Sequence, residues 1–524
     1  MKIEYSHIPA EKFRFVQQGK RLLDDGPATK QRGYFRDALH RFCKDKSAVT
    51  AAVIIFLIIV FAIVTPLAIT THDGSFMVSY YARKPARINA LRKWGIFDGG
   101  VNRELTEAAL VRLLALGMGA ADTDGTGVTL EEGMESQFMP MLSIGEGEQT
   151  VGPGGKPSFV YPSRVDTYLE VGFIYRSIEQ AELKKMLSWQ EETGKQLLYP
   201  LIDTDSPYCA DPGNANLWYK TNNRQNPIRV NENGTTSLIS YAPGMVLEDN
   251  YRRNADGDIM YYAYTGGGSL ETAQFKVRVL YYNYYQYLYG FEPNYLMGTE
   301  SQGYDMALRI AGGIRLSLLI AFCVCIINFL LGALYGAIEG YYGGVTDLVM
   351  ERICDILSGV PFIIVATLFQ IHLAQRAGPL VCLLFAYVLT GWIGTAYRVR
   401  TQFYRYKHQE YVLAARTLGA KDRRIIFKHI FPNTLGTIIT SSALAIPGTI
   451  MSESMLSYLG IVNLGSAGGT SLGTLLADAE SRWIQFPHLM LYPALVISLL
   501  MICFNLFGNG LRDAFNPALR GVEA

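Results

Sequence analysis

The sequence predicts an all-α polytopic membrane bundle of six transmembrane helices, with an α+β extracytoplasmic domain inserted between the first and second spans. Three observations predict it. Six long apolar runs alternate with polar loops, the short loops concentrate Lys and Arg on one side, and the stretch 72–300 is far too polar to lie in a membrane. That stretch still carries enough aromatic and aliphatic residues for a core of its own, which separates a folded domain from a linker.

The elements follow in order. Residues 1–47 form a cytoplasmic N-terminal segment, and 48–71 the first transmembrane helix. Ala48 to Ile69 carries no charge, which at ~1.5 Å per residue spans a hydrocarbon core. A cleaved signal peptide fits poorly, because the preceding region is long and no small-residue cleavage site follows. Five later runs (Leu316–Ile338, Ile356–Leu373, Pro379–Tyr397, Leu435–Leu459 and Leu489–Phe507) make a five-helix core over 301–508, leaving 509–524 as a tail. Pro361, Pro447 and Pro493 lie within or beside these runs, where neighbouring helices can satisfy the carbonyls a proline frees.

Charge sets the orientation. Residues 1–47 hold eleven Lys/Arg against six acids, and the loop 398–432 holds nine against two, whereas 374–379 and 461–488 carry one Arg each. Both basic segments and both termini are therefore expected in the cytoplasm, in a multi-pass protein of the bacterial plasma membrane. Within the external domain, Ile178–Glu191 has a helical pattern and Thr167–Tyr175 reads as strand. Tyr281, Tyr282, Tyr284, Tyr285, Tyr287 and Tyr289 fit either an aromatic belt at the outer interface or ordinary core packing.

Composition narrows the chemistry. The net charge of +1 on 524 residues gives no basis for nucleic-acid binding. Of the seven cysteines, only Cys209 lies in the polar insert, so neither a disulfide framework nor a cysteine metal site is expected there. A phosphate-cradling GxxxxGK[ST] loop is missing: Gly155-Lys156 is followed by Pro157, and Gly194-Lys195 by Gln196. Asp122-Thr-Asp124-Gly-Thr126-Gly127 opens like a calcium loop, but Gly133 stands where the bidentate Glu belongs, so an acidic surface turn is the better reading. No catalytic residue, cofactor site or metal site is expected.

The informative segment is Glu410 to Pro432. It reads as a short helix to Leu418, a turn at Gly419 and a second helix ending before Pro432. Ala414 and Ala415 permit close approach of another backbone. A membrane-surface amphipathic helix is the alternative these residues leave open.

This segment resembles the EAA loop of ABC importer permeases: Ala414, Ala415, Gly419, Phe431 and Pro432 fall in register. Leu413 stands where that pattern has Glu, with Glu410 a candidate to replace the charge, and His429 stands where Ile is usual. Met297-Gly-Thr299-Glu300-Ser-Gln-Gly303-Tyr304-Asp305 is similar to the Gly-Thr-Asp signature of dipeptide/oligopeptide permeases, with Tyr304 for Arg. Gly340 to Gly344 with Asp347, Arg352 and Asp355, then Glu453 to Gly460 and Phe504 to Asp513, match further helices of the C-type subunit. The insert 72–300 has no counterpart there.

The resemblance implies a type I importer permease fold and a transmembrane subunit that passes dipeptides or oligopeptides without being an enzyme. It further implies a second homologous permease, two cytoplasmic ATP-binding subunits and an external substrate-binding protein as partners. Ala414, Ala415, Gly419, Phe431 and Pro432 would receive the ATPase stroke, and Glu453 is a candidate for the translocation path. An exporter or mechanotransmitting permease with a large external domain, or an importer for nickel or another small solute, is the competing reading.

Overall fold

A computed structural model describes residues 34–151, 157–266, 273–464 and 470–515. The chain begins there with α1 (Tyr34–Lys44), followed at once by the first span, α2 (Lys46–Ala68). Asp45 caps α2, its carboxylate accepting the N–H groups of Ser47 (2.9 Å) and Ala48 (3.3 Å). Phe56, Leu57 and Leu67 are bare while Ala48, Ala51 and Ala62 are buried. A water-soluble helix would do the reverse, and lipid is what makes this arrangement stable.

The region inserted between α2 and the next span, expected outside the membrane and so termed the external region, is α+β. It runs β1 (Gly100–Thr106), α3 (Glu107–Ala121), α4 (Leu130–Glu135), β2 (Met141–Ile144), β3 (Glu148–Val151), β4 (Pro157–Asp166), β5 (Phe173–Glu179), α5 (Gln180–Thr193) and β6 (Leu198–Tyr199). Then come β7 (Ile228–Val230), β8 (Thr236–Leu238), β9 (Tyr262–Gly266), β10 (Gln274–Leu280) and α6 (Tyr281–Tyr289). One antiparallel sheet has the order β1-β4-β2 with β3 also on β4; a second has β5-β10-β6 with β9 also on β10; β7 and β8 pair alone. Leu110, Leu114, Met118 and Trp218 are fully buried between α3 and the surrounding strands and loops.

One local expectation is corrected and one open choice is decided. The run Thr167–Tyr175 is not one strand. The Asp166 carboxylate accepts the N–H groups of Tyr168 (3.0 Å) and Leu169 (3.3 Å), turning the chain before β5 begins at Phe173. The tyrosine cluster is mostly core: Tyr281, Tyr282, Tyr284 and Tyr285 on α6 are buried, and the Tyr285 hydroxyl bonds that of Tyr295 at 3.2 Å.

The two roots of the external region are laced together. Met77 bridges Tyr304 and Arg87 bridges Tyr295, so the outgoing and returning chains run antiparallel. Beneath them the buried His72 Nε2 meets the Asp305 carboxylate at 3.0 Å, and Asp305 also caps the next span.

That span is α7 (Met306–Tyr342), and α8 (Gly344–Ser358), α9 (Phe362–Ala377), α10 (Pro379–Gly391) and α11 (Ile393–Tyr406) follow. Next come α12 (Glu410–Thr417), α13 (Asp422–Arg424), a π-helical turn (Ile425–Ile430), α14 (Phe431–Ala443), α15 (Ala445–Tyr458), α16 (Leu472–Glu480) and α17 (Pro487–Phe515). Among the described residues five helical stretches are long and apolar enough to cross a membrane: Lys46–Ala68, Met306–Tyr342, Pro379–Tyr406, Asp422–Tyr458 and Pro487–Phe515. The expected third span is instead the pair α8 and α9, bent by 69°. Pro361 stands immediately before α9 at the break, where it cannot donate an N–H and disfavours helix in the residue before it.

Gly332, Gly336 and Gly340 recur every fourth residue along α7 and let α11 approach closely. A Cβ on Gly336 would collide with the Ala396 carbonyl, and one on Gly340 would lie 2.8 Å from the Arg400 carbonyl oxygen.

Candidate functional site

The elbow between α11 and α14 has two contrasting faces. Val412, Ile425, Ile426 and Ile430 are buried against Tyr341 of α7 and Val399 and Phe403 of α11. On the other side Leu418 is 88% exposed, with Tyr411, Leu413 and Phe427 also bare. A helical element rooted on one face and apolar on the other is built to be touched by another protein.

Gly419 makes the bend. Its φ of +81° lies in the left-handed region, which stops α12 without steric cost only for glycine. The Leu418 N–H still reaches the Ala414 carbonyl (3.1 Å) and the Ala420 N–H the Ala415 carbonyl (3.0 Å), so the helix end is closed. The second helix does not end before Pro432. It continues from α13 through the π-helical turn into α14, because Pro432 falls in the first turn of α14, where a missing N–H costs little.

Polar bonds fasten this elbow to the spans. The Tyr341 hydroxyl donates to Asp422 at 2.6 Å and accepts from Arg416 Nη2 at 3.3 Å. Lys407 Nζ donates to the Gly340 carbonyl at 3.0 Å. One turn away, Arg400 reaches Asp347 (2.6 Å), Glu351 (3.2 Å) and Glu339 (3.4 Å), joining α11 to α7 and α8. Sequence reasoning picked out Asp347 but missed Arg400 and Glu339, which lie far apart in the chain. The one legible trace was the glycine spacing on α7 that brings these helices together.

Ala414, Ala415, Gly419, Phe431 and Pro432 thus share one elbow, with Ala414, Gly419 and Pro432 exposed and Ala415 and Phe431 half-buried. Glu410 sits exposed in the first turn of α12, a favourable end for an acid. Glu453 lies elsewhere. It is fully buried on α15, and its carboxylate accepts the hydroxyls of Ser317 (2.8 Å) and Ser457 (3.0 Å). Serine donors stabilise a carboxylate that has left water.

The Asp122 loop is internally satisfied. Asp122 accepts from the Gly127 N–H (3.3 Å) and the Tyr251 hydroxyl (3.0 Å), while Glu132 closes a capping box with Thr129. Among the described residues no group of three or more His, Cys, Asp or Glu is arranged to hold a metal ion.

A helical membrane bundle with a two-faced elbow between α11 and α14 has the architecture of a transport permease. The comparisons agree. Residues 330–521 match the binding-protein-dependent transport system inner membrane component, and residues 33–85 match the N-terminal TM domain of oligopeptide transport permease C. The oligopeptide transport system permease protein OppC of Bacillus subtilis (strain 168) is 40% identical over 223 residues, covering 43% of this chain and 72% of that protein. The dipeptide transport system permease protein DppC of Lactococcus lactis subsp. cremoris (strain MG1363) is 39% identical over 227 residues, covering 43% and 64% respectively. An inward-facing crystal structure of the MetNI methionine ABC transporter is 16% identical, with a TM-score of 0.33, covering 40% of this chain and 98% of that one. The chain belongs to the OppC/DppC branch of the binding-protein-dependent transport permeases. It is a multi-pass membrane protein and an importer permease, not a member of an enzyme family.

Proposed function

We propose that this chain is the C-type transmembrane subunit of an ATP-driven importer of dipeptides or oligopeptides. It works with a second homologous permease, two cytoplasmic ATP-binding subunits that hydrolyse the nucleotide, and an external substrate-binding protein. On this reading 1–47, the coupling loop 398–432 and 509–524 are cytoplasmic, supported by the basic loops and by six spans when α8 and α9 are counted as one broken span. It leaves 72–300 outside and 301–508 as the five-helix core. The segments 1–33 and 516–524 lie outside the described residues, and their cytoplasmic placement rests on charge and span count.

The observation that carries this reading is the elbow. Its buried face is bonded to α7 and α11, while Leu418, Leu413, Tyr411 and Phe427 stand free on the other. A stroke delivered to the free face passes through Asp422–Tyr341 and Lys407–Gly340 into α7, and Arg400 extends the link to α8. Such contacts convert ATPase closure into rigid-body rocking of the bundle. Glu453 is proposed to stand beside the translocation path.

The test is Leu418→Cys in the assembled complex. A membrane-impermeant thiol reagent should label it in inside-out vesicles once the ATP-binding subunits are stripped off, more slowly while they are bound, and not in intact cells, and Leu418→Asp should release the ATP-binding subunits and abolish uptake. Labelling from outside intact cells would reverse the topology and end the proposal. For the external region, docking of the binding protein is the favoured role. Because Arg87 and Tyr295 already face each other, residues 88–294 can be replaced by an Asn-Gly turn. Uptake and binding-protein association should both fall, and neither changing would remove docking.

A further inference from the structure

A cavity of about 510 Å³ opens where the root of the external region meets the outer ends of α7, α15 and α16. That is the size range of ordinary small-ligand sites, ~300–1,000 Å³. Hydroxyl and amide groups line its wall: Ser457, Asn463, Thr470 and Thr474. Its charged members are Arg309 and Asp478, and Glu300 lies just behind Arg309.

The charges do not balance. Arg309 is already committed: its Nε contacts Glu300 at 3.5 Å and its guanidinium lies over the Tyr304 ring at 4.5 Å. Tyr304 is the position where the family signature carries Arg, so this chain has replaced a cation at the cavity wall by a ring that covers one. Asp478 is exposed at the cavity mouth, its carboxylate open to solvent with no hydrogen-bond donor among the described residues, and its backbone carbonyl accepts from Ser301 (3.3 Å). Below it, Ser457 gives its hydroxyl hydrogen to the buried Glu453 (3.0 Å), so a further acidic group stands under the floor. Acids lining a cleft with low-dielectric walls focus a field that concentrates cations.

Resting on the reading of the chain as a peptide permease, we infer that this cavity is an entry subsite for the α-ammonium group of the incoming peptide. Asp478 receives the ammonium, and the hydroxyls of the wall bond the peptide backbone. A free amino terminus has three donors, which suits an open carboxylate flanked by hydroxyls.

The experiment places Ser75→Cys, at the open wall of the cavity, in a Cys209→Ser background within the assembled transporter. Rates of modification by a cationic and by an anionic methanethiosulfonate are compared. The cationic reagent should react faster by about tenfold or more. Asp478→Asn should lower that preference severalfold, and Arg309→Gln should raise it; opposite signs exclude simple unfolding as the cause. Trialanine should slow the modification, and N-acetyl-trialanine should not. A rate ratio near one, an unchanged ratio in Asp478→Asn, or equal protection by both peptides would overturn the subsite. Binding-protein-dependent uptake of trialanine by the same complexes is measured in parallel. Its presence without charge preference sinks the subsite alone, and its absence sinks the peptide reading beneath it.

Discussion

Arg400 of the membrane bundle and Arg278 of the external region are held in opposite ways. In the bundle Arg400 is met by three carboxylates from two other helices, Asp347, Glu351 and Glu339. In the external region Arg278 is fully buried with no carboxylate partner. Its Nε donates to the Ala215 carbonyl (2.8 Å), its Nη1 to the Pro200 carbonyl (3.1 Å), and its face lies 3.8 Å from the Phe173 ring centroid. Burial pushes the Arg278 guanidinium below its usual pKa. At Arg400 the ion pairs join three helices through side chains, whereas at Arg278 backbone carbonyls and a ring hold a single residue. The external region also uses a fully buried ion pair, Arg87 with Asp166 at 3.0 Å, so the contrast belongs to these two sites.

The largest effect expected from this contrast is on Arg400→Ala. It leaves three acids facing one another at the junction of α7, α8 and α11. Arg400 is 16% and Glu351 31% exposed, so the loss falls at or below the lower end of the ~3–5 kcal/mol that breaking a fully buried pair costs, still enough to lower the amount of chain in the membrane. Arg400→Lys should restore only part of the level, since an ammonium cannot hold two carboxylates in the forked geometry seen with Asp347 and Glu351. Membrane abundance measured by immunoblot checks both; a normal level of Arg400→Ala would show that the cluster fastens nothing.

Arg278→Met is the milder counterpart. It removes a desolvated cation and strands two carbonyls, for a net cost of ~1–3 kcal/mol. The buried Trp218 packs in the same region, so its fluorescence in the purified full chain reports the loss. Thermal unfolding should shift down for that signal while membrane abundance stays near the parent level. If Arg278→Met cleared the chain from the membrane as thoroughly as Arg400→Ala, the two regions would share one stability and the contrast would fail.

The same contrast explains what the sequence made legible. The spans were readable because lipid imposes a composition on every residue of a helix, and the run Ala48 to Ile69 needs no partner to be recognised. Gly419 was readable because a turn has a local signature. Pro361 was seen as a proline in or near a span, but the 69° bend it accompanies depends on how α9 packs against α10, which one chain position does not encode. Arg400 with Glu339 and the lacing of 77–87 onto 295–304 are contacts between distant segments, invisible to any window reading. The tyrosines of α6 were ambiguous for the same reason: belt and core differ only in what surrounds the ring.

Glu453 gives the smallest expected effect and the finest test. Its carboxylate only accepts hydrogen bonds, the two short ones from Ser317 and Ser457 on opposite oxygens and a long one from Ser454 (3.5 Å) beside Ser317. In Glu453→Gln the amide oxygen can keep one of them, and the amide nitrogen can donate to the other serine, whose hydroxyl then turns away. Stability should change by no more than ~1 kcal/mol, visible as an unchanged unfolding transition of the purified complex. Uptake should nevertheless fall severalfold, because the negative charge beneath Ser457 is gone while the packing is intact. Glu453→Leu should lose uptake and stability together, since both serine hydroxyls are then stranded inside the bundle. Unchanged uptake in Glu453→Gln would reduce Glu453 to a packing residue that holds α15 against α7, and would remove it from the translocation path.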